Sequence, residues 1–386
     1  MFFSIISLLF LLVYATLMLY YRYGWSTLRL FTPDPDAPLK KNAFISVIIV
    51  ARNEEKNIEA CLTSIANQTL GSREYEMILV DDHSTDRTIE LAENLKLHQL
   101  QIINLKDSEE TMGLNSYKKF GISKAIEQCG GELIVTTDAD CIVPDGWLEH
   151  IRKFYVMRAP VFIAAPVIFN HDAHESIAIR LLVIFQQLDF MVLQGITGAS
   201  VKMKFHNMCN GANLAYARKA FIEVNGFEGI DDIASGDDML LMSKVEKVFH
   251  NKIGYLKSKS TIVTTEPALT LKDFINQRIR WASKAGRYSD FRITSVLLLV
   301  YIFNAWLFMT FILGLFSAMS FKIFLVLLIV KTLVELFFLY PVARFFGKLH
   351  LLWWFVPAQP FHILYTIIAG GLGKFGYYEW KGRRVK

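Results

Sequence analysis

The chain has 386 residues, of which 53% are hydrophobic and 13% aromatic, and its formal net charge is +5. This apolar share exceeds the roughly 45–50% of an average soluble domain, so part of the chain is expected to lie in a membrane. The Lys and Arg residues are spread out or flank apolar segments, which suits lipid headgroups and argues against nucleic acid as a partner.

Four apolar segments are long enough to enter a bilayer, at 2–21, 295–319, 323–342 and 351–372. The first has no basic region before it and no clear cleavage site after it, so residues 1–22 are predicted to be a retained anchor. The other three form a predicted membrane region, 295–372. Basic residues on the adjoining flanks predict that the intervening domain, 44–292, faces the cytoplasm. The chain is therefore expected to be a multi-pass integral membrane protein.

The last apolar segment contains Pro357, Gln359 and Pro360, so it is predicted either to span the membrane or to form a re-entrant or interfacial element. The basic tail, 373–386, is expected in the cytoplasm. Within the apolar segments, charge is nearly confined to Lys331 and Glu335, which lie one helical turn apart and can pair.

Between 44 and 292, short β-branched segments alternate with amphipathic helical patterns, which predicts a mostly parallel α/β sheet covered by helices. Early strands are predicted at 44–50, 76–80, 101–105 and 133–136. No Gly-x-Gly-x-x-Gly follows the first strand, which argues against a nicotinamide or flavin site. Ligands bind at the carboxyl ends of such strands. The polar residues that follow them are therefore candidate site residues: Arg52, Glu54, Asp81, Asp82, Asp138 and Asp140.

Asp138 and Asp140 are separated by one residue at the end of the fourth strand. Two such carboxylates can hold Mg²⁺ or Mn²⁺ together with substrate phosphates. A polar turn that closes the strand is the alternative, because Asp is a common turn residue. The residue pattern alone leaves both interpretations open.

The second half of the domain has three further features. Segment 177–196 is helical and apolar apart from Gln186, Gln187 and Asp189, so it is predicted to be buried or to lie on the membrane surface. Asp237 and Asp238 begin a helix predicted at 239–248, where acids also occur as ordinary caps. A helix predicted at 272–284 carries three candidate residues that could also be interfacial anchors: Gln277, Arg280 and Trp281.

Five motifs in this order resemble those of the membrane-bound family 2 glycosyltransferases with the GT-A fold: VIIVARNE at 47–54, DDHSTD at 81–86, DAD at 138–140, SGDD at 235–238 and QRIRW at 277–281. Similar enzymes make cellulose, poly-N-acetylglucosamine and hyaluronan, or add glucose to ceramide and other lipids. The resemblance implies an α/β nucleotide-sugar-binding domain with one N-terminal and two to three C-terminal membrane helices. It also implies a nucleoside diphosphate sugar, usually a uridine one, and a divalent cation, Mg²⁺ or Mn²⁺.

The resemblance further implies roles on the donor side. Asp81 would accept a hydrogen bond from the uracil, and Arg52, Glu54 and Asp82 would line the same nucleotide pocket. Asp138 would face the ribose or the sugar, and Asp140 would hold the cation on the diphosphate. Lys119, with its neighbour Lys118, is a further candidate for a phosphate contact, although both could be a solvated helix start.

On the acceptor side, Asp238 is the implied base that takes the hydroxyl proton, with Asp237 before it. The more usual Thr-Glu-Asp or Gly-Glu-Asp is here Gly236-Asp237-Asp238, so the assignment between the two carboxylates stays open. Gln277, Arg280 and Trp281 would cover the acceptor site, with Trp281 stacking on a sugar and Arg280 contacting the diphosphate. The resemblance thus favours this role over the anchor role.

The expected function is inverting transfer of a hexose from a nucleoside diphosphate sugar to a lipid or lipid-linked acceptor at the cytoplasmic membrane face. A processive polysaccharide synthase acting on a glycan is the alternative. With about four membrane segments, such a synthase would need a homo-oligomer or an auxiliary subunit to form a channel. An inactive scaffold and a small transporter are the remaining alternatives. The complete set of motif carboxylates argues against the scaffold, and the scarcity of intramembrane charge argues against the transporter.

Overall fold

A computed structural model of the chain describes residues 2–33, 43–107, 116–170, 176–233, 236–286, 288, 290–375, 378–380 and 383–385. The chain divides into two compact units. The sheet unit consists of Arg29–Asn170 and Asn207–Glu266. The helical unit consists of Met1–Leu28, His171–His206 and Pro267–Lys386. Segments 171–206 and 267–286, which lie inside the predicted domain 44–292, therefore group with the helical unit.

The strands are β1 Ile45–Ala51, β2 Tyr75–Asp81, β3 Leu100–Asn104, β4 Leu133–Asp138, β5 Phe162–Ala164, β6 Val167–Phe169, β7 Leu214–Ala217, β8 Ile253–Tyr255, β9 Val263–Thr265, β10 Tyr378–Trp380 and β11 Arg383–Val385. The α-helices are α1 Phe2–Thr27, α2 Ile58–Ala66, α3 Thr88–Asn94, α4 Tyr117–Gln128, α5 Trp147–Arg158, α6 Ile177–Met203, α7 Arg218–Glu223, α8 Met239–Val248, α9 Leu271–Ala282, α10 Phe291–Gly314, α11 Ala318–Phe345 and α12 Phe355–Phe375. Short 3-10 helices occur at Leu105–Asp107, Lys259–Thr261, Ser283–Gly286 and Leu349–Trp354.

The sheet unit is built on a seven-stranded sheet in the order β3-β2-β1-β4-β7-β5-β8. β1 pairs in parallel with β2 and β4, and β2 pairs in parallel with β3. β7 is antiparallel to both β4 and β5, and β8 is parallel to β5. The prediction of a mostly parallel sheet is confirmed. β1 has the sequence ISVIIVA, which is apolar apart from Ser46, and six of its seven residues are buried, as a strand covered on both faces requires.

The register of the central strands brings their carboxyl ends level. Ala51, at the end of β1, pairs with Asp81 of β2, and its neighbour Val50 pairs with Asp138 of β4. The polar segments that follow these three strands therefore start at the same edge of the sheet. A second, two-stranded parallel sheet pairs β6 with β9. A bridge between Ile142 and Thr264 ties the chain after Asp140 to β9.

Among its described residues, the helical unit has five helices long and apolar enough to cross a membrane: Phe3–Thr27, Ile177–Met203, Phe291–Gly314, Ala318–Phe345 and Leu349–Gly373. The N-terminal helix and the C-terminal group match the predicted membrane segments. The second helix, Ile177–Met203, was not among the predicted membrane segments. It is 27 residues long, and the three polar residues in 177–196 made a membrane-spanning length hard to recognise from the sequence. The last predicted segment is helical in spite of Pro360, which lies inside α12. The predicted orientation, with the catalytic domain in the cytoplasm, stays a prediction.

A buried polar cluster links three helices of this unit. Lys331 of α11 lies 2.8 Å from Glu335 Oε1 and donates to Gln359 Oε1 of α12 at 2.7 Å. Gln359 Nε2 donates to Glu335 Oε2 at 2.8 Å, and the hydroxyl of Tyr14 in α1 donates to Glu335 as well. The predicted pairing of Lys331 with Glu335 is confirmed, and these hydrogen bonds offset the cost of burying both charges.

Candidate active site

The loops after β1 and β2 are locked together by side-chain to backbone hydrogen bonds. Asn53 has a positive φ of 52°, and its Oδ1 accepts from the amide of Thr85 at 2.8 Å. The amide of Asn53 donates to Ser84 Oγ at 3.1 Å. Glu54 follows, and its Oε2 accepts from Asn57 Nδ2 at 3.0 Å. These contacts give the two loops one fixed shape at the carboxyl edge of the sheet.

Two predicted nucleotide-pocket acids, Asp81 and Asp82, are almost fully buried in this region, with exposures of 1% and 2%. Both carboxylate oxygens of Asp81 accept from the amide of Ser84, at 3.1 and 3.3 Å. Arg52 Nη1 lies 3.5 Å from Asp82 Oδ1 and donates to the Asp82 carbonyl at 3.0 Å. The structure therefore places Arg52 against Asp82, the neighbour of Asp81, with Glu54 on the same loop as Arg52; the role of these residues in nucleotide binding stays a prediction.

A lysine joins the carboxylates of two separate motifs. Lys118 Nζ, on α4, lies 2.7 Å from Asp138 Oδ1 and 2.9 Å from Asp237 Oδ2. Burial alone would lower the pKa of Lys118, but the charges of Asp138 and Asp237 outweigh burial and hold that pKa well above its usual value. Lys118 is therefore a cation, held between the end of β4 and the segment that precedes α8.

The neighbouring lysine that sequence reasoning favoured has a different environment. Lys119 is 1% exposed, and its Nζ donates to the carbonyls of Ile230 and Ile233 at 2.5 and 2.8 Å. Successive residues of a helix point about 100° apart, so only one of the two lysines can face the carboxylates. That residue is Lys118, and Lys119 instead supports the loop at 230–233.

Asp138 and Asp140 meet the requirements of a cation site. Together with Cys141 they offer ligand atoms that lie within 4.8 Å of one another. Burial, reinforced by the charges of Asp140 and Asp138, raises the pKa of the Cys141 thiol well above its usual value, so the thiol stays protonated. Carboxylate oxygens are the ligands that Mg²⁺ and Mn²⁺ prefer, so the donor set fits such an ion through the two Asp residues.

The second carboxylate motif begins α8. Asp238 is the N-cap of this helix, and its Oδ1 accepts from the amide of Met239 at 2.7 Å. Its Oδ2 accepts from the amide of Gly211 at 3.2 Å. The cap interpretation and the site interpretation are therefore compatible, because Asp238 caps the helix while lying beside the pair of Lys118 and Asp237. Ser235 of this motif lies outside the described residues.

The loop at 209–213 is part of the site, although its sequence indicates only a turn. A Cβ placed on Gly211 would lie 3.4 Å from Asp237 Oδ2 and 3.5 Å from Lys118 Nζ, so the loop backbone approaches the charged cluster closely. Asn213 anchors the loop: it is fully buried and donates to the carbonyls of Pro166 and Thr261 at 2.8 and 2.7 Å. The sequence Asn-Gly-Ala-Asn at 210–213 is the feature from which this loop could have been proposed as part of the site.

The predicted acceptor residues lie on one helix of the helical unit. Gln277, Arg280 and Trp281 are on α9, at positions that share one face, and all three are partly buried. Thr270 caps this helix, with its hydroxyl oxygen accepting from the amide of Asp273 at 3.1 Å. Between the motif residues lies Arg278, which is almost fully buried.

Comparison with known proteins finds similar glycosyltransferases. The sequence profile described as Glycosyl transferase family 2 matches residues 46–223. Glycosyltransferase AglE of Haloferax volcanii is 33% identical over 107 residues, which are 28% of this chain and 34% of AglE. A beta-monoglucosyldiacylglycerol synthase of Nostoc sp. is 28% identical over 112 residues, which are 29% of this chain and 23% of that protein. The chain thus matches about a third or less of the length of these curated relatives.

A solved structure is similar over nearly the whole chain. The mannosyltransferase PcManGT from Pyrobaculum calidifontis, solved with GDP-Man and Mn²⁺, superposes with a TM-score of 0.58 at 17% identity, covering 97% of this chain and 99% of that chain. This likeness confirms the predicted GT-A fold. The profile match shows that the chain carries a glycosyl transferase family 2 domain within residues 46–223.

Proposed function

We propose that this protein is a metal-dependent, inverting glycosyltransferase that moves a hexose from a nucleoside diphosphate sugar to a lipid or lipid-linked acceptor. The observation that carries the proposal is Lys118, which bridges Asp138 and Asp237 at 2.7 and 2.9 Å. One cation thereby joins the proposed donor side to the proposed acceptor side. A transferase needs this proximity, because the acceptor hydroxyl must reach the anomeric carbon of the bound donor.

The nucleotide fits the carboxyl edge of the sheet. The paired loops after β1 and β2 hold Asp81, Asp82 and Arg52 at this edge, and we assign these residues to the base and ribose, with uracil as the expected base. Asp140 and Asp138 would hold Mg²⁺ or Mn²⁺. When bound, such a cation neutralises the negative charge that develops on the leaving diphosphate. Lys118 supports this cluster from the side and can contact phosphate once a donor displaces one of its carboxylate partners.

Proton removal is assigned to Asp238, with Asp237 as its neighbour. Asp238 is fixed by two backbone amides, those of Met239 and Gly211, so its carboxylate is held in one orientation. Asp237 is engaged by Lys118 and is therefore the weaker base of the two. A single direct displacement inverts the anomeric centre, so an α-linked donor gives a β-linked product.

The acceptor is proposed to be a lipid or lipid-linked hydroxyl at the cytoplasmic face. Five helices in the described part of the chain are long and apolar enough to span a membrane, and one relative is by name a synthase of beta-monoglucosyldiacylglycerol. α9, with Gln277, Arg280 and Trp281, belongs to the same unit as these helices. An aromatic ring and an amide on that helix suit a sugar or glycerol headgroup.

Product analysis tests the proposal. Purified protein in lipid vesicles is incubated with labelled UDP-sugars and GDP-sugars, with Mn²⁺ or Mg²⁺, and the organic phase is separated by chromatography. A single labelled glycolipid with a β linkage, made only with the divalent cation, supports the proposal. A polymer or ladder supports a processive synthase instead. No labelled product with any donor, from protein that still binds nucleotide, would refute the transferase assignment.

A further inference from the structure

The buried face of α9 carries a charged side chain that the proposed function does not use. Arg278 is 4% exposed and lies on this face with Phe274 and Ile279. A buried guanidinium is strongly destabilising unless a carboxylate pairs with it. Asp189 of α6, which is 7% exposed, supplies that partner, with its Oδ2 2.8 Å from Arg278 Nη2.

Arg278 contacts two of the three acceptor residues predicted on the same helix. Its guanidinium carbon lies 4.3 Å from the centroid of the Trp281 ring, within the range of a cation–π interaction. Its Nη1 donates to Gln277 Oε1 at 3.3 Å. Phe190, next to Asp189 on α6, packs against the same indole with centroids 6.1 Å apart. The indole therefore rests against Arg278 and a residue of α6.

Asp189 is itself held in place from two directions. Tyr365 of α12 donates a hydrogen bond to Asp189 Oδ1 at 2.5 Å, while Oδ2 makes the ion pair with Arg278 without, among the described residues, a hydrogen bond of its own. One turn earlier on α6, Gln186 exchanges two hydrogen bonds with the backbone of Ala268, at 2.8 and 3.0 Å. Ala268 lies just before α9. α6 thus contacts the segment just before α9 through Gln186, and the middle of α9 through Asp189.

We propose that Asp189 is a positioning residue for acceptor binding, which acts by holding Arg278 and, through it, the side chains of Trp281 and Gln277. The inference rests on the proposed role of α9 in binding the acceptor. It predicts an effect on the acceptor and not on the donor, since these residues belong to the helical unit and the donor residues to the sheet unit. A displacement of about 1 Å at such a site can cost about 10²-fold in rate.

The test uses D189N and the double variant D189N/R278Q in the full-length protein. D189N leaves Arg278 buried without its carboxylate, so it is expected to lower both the unfolding temperature and the yield of folded protein. The double variant removes both charges and is expected to recover the folded yield. Acceptor kcat/KM should nevertheless stay about 10–100-fold below wild type in both variants, because Trp281 has lost its guanidinium support. Donor affinity, measured by nucleotide-sugar titration, should remain unchanged.

If D189N/R278Q recovers the folded yield and acceptor kcat/KM together, the pair is merely structural and the proposal is overturned. A fall in donor affinity equal to the fall in acceptor kcat/KM would overturn it as well. Glu335→Gln is the matched control, because Glu335 is another buried, paired carboxylate of the helical unit and contacts α1, α11 and α12. It should lower the unfolding temperature without changing acceptor KM.

A spectroscopic readout separates this inference from the proposed function. The emission of Trp281, obtained as the difference between each protein and its W281F counterpart, should shift in D189N/R278Q and remain unchanged in Glu335→Gln. Absence of that shift would overturn the positioning role even in an active enzyme. Conversely, a wild-type protein that transfers no sugar to lipid refutes the proposed function, while the emission shift still tests the contact between Arg278 and Trp281.

Discussion

Substitution of Asp238 by Asn is expected to separate catalysis from stability. An Asn caps a helix about as well as an Asp, so the bond from the amide of Met239 should survive. The amide nitrogen of the new side chain would face the amide of Gly211, which loses the second hydrogen bond and costs about 1 kcal/mol of folding free energy. Loss of a general base costs about 10²–10⁴-fold in turnover, or about 3–5 kcal/mol in activation free energy.

Three measurements on the same preparation check this expectation: turnover with saturating donor and acceptor, donor affinity by calorimetric titration, and the unfolding temperature. Turnover should fall by at least about 10²-fold, while donor affinity and the unfolding temperature stay close to wild type. Asp237→Asn is the matched comparison, because it removes the ion pair with Lys118 at 2.9 Å and should weaken donor binding instead. Near-normal turnover in Asp238→Asn, with a collapse in Asp237→Asn, would move the base role to Asp237.

Three further outcomes are expected. Lys118→Met should raise the donor KM. Lys119→Met should instead destabilise the fold by about 2–4 kcal/mol and leave the donor KM of the folded fraction unchanged. Equal effects of the two variants on the donor KM would contradict the different roles assigned to the two lysines. Chelation with EDTA should abolish sugar transfer, and transfer that persists in EDTA would refute a metal-dependent step. Asp140→Asn should raise the Mn²⁺ concentration needed for the half-maximal rate. Burial lowers the pKa of His206 from 6.5 to about 4, so the folded protein should lose up to about 3 kcal/mol of stability as the pH falls from 6.5 to 4. In His206→Gln, the unfolding temperature measured in detergent should depend less on pH between 6.5 and 4. An unchanged dependence would show that protonation of His206 is not the cause of the loss of stability.

The central strands were predictable because each is a short, largely apolar segment rich in β-branched residues. The strand predicted at 76–80 is Tyr75–Asp81, and the strand predicted at 133–136 extends only two residues further, to Asp138. Burial on both faces of a parallel sheet demands such sequences, so the pattern is distinctive. α8 was predicted with its observed limits, since the acids before it mark a helix start.

Features that depend on tertiary contacts were not predictable in the same way. Lys118 and Lys119 are chemically identical neighbours, and only the position of α4 over the sheet decides which of them meets Asp138. The burial of Arg278 depends on Asp189, a residue on a different helix that no local pattern links to it. Asp189 is also one of the polar residues that lower the hydropathy of α6. It is therefore one reason why the sequence did not predict that α6 is long and apolar enough to span a membrane.

The cluster of Tyr14, Lys331, Glu335 and Gln359 has a consequence for biosynthesis. Tyr14 emerges from the ribosome early, whereas the three side chains that complete its environment are made only after the entire sheet unit. The part of α1 that carries Tyr14 therefore lacks these partners until α11 and α12 have been made, although α6, which also packs against α1, is made earlier. The first helix is thus part of the folded bundle and not an exchangeable anchor. Replacing it with an unrelated apolar helix of equal length should yield protein that enters the membrane but fails to complete assembly.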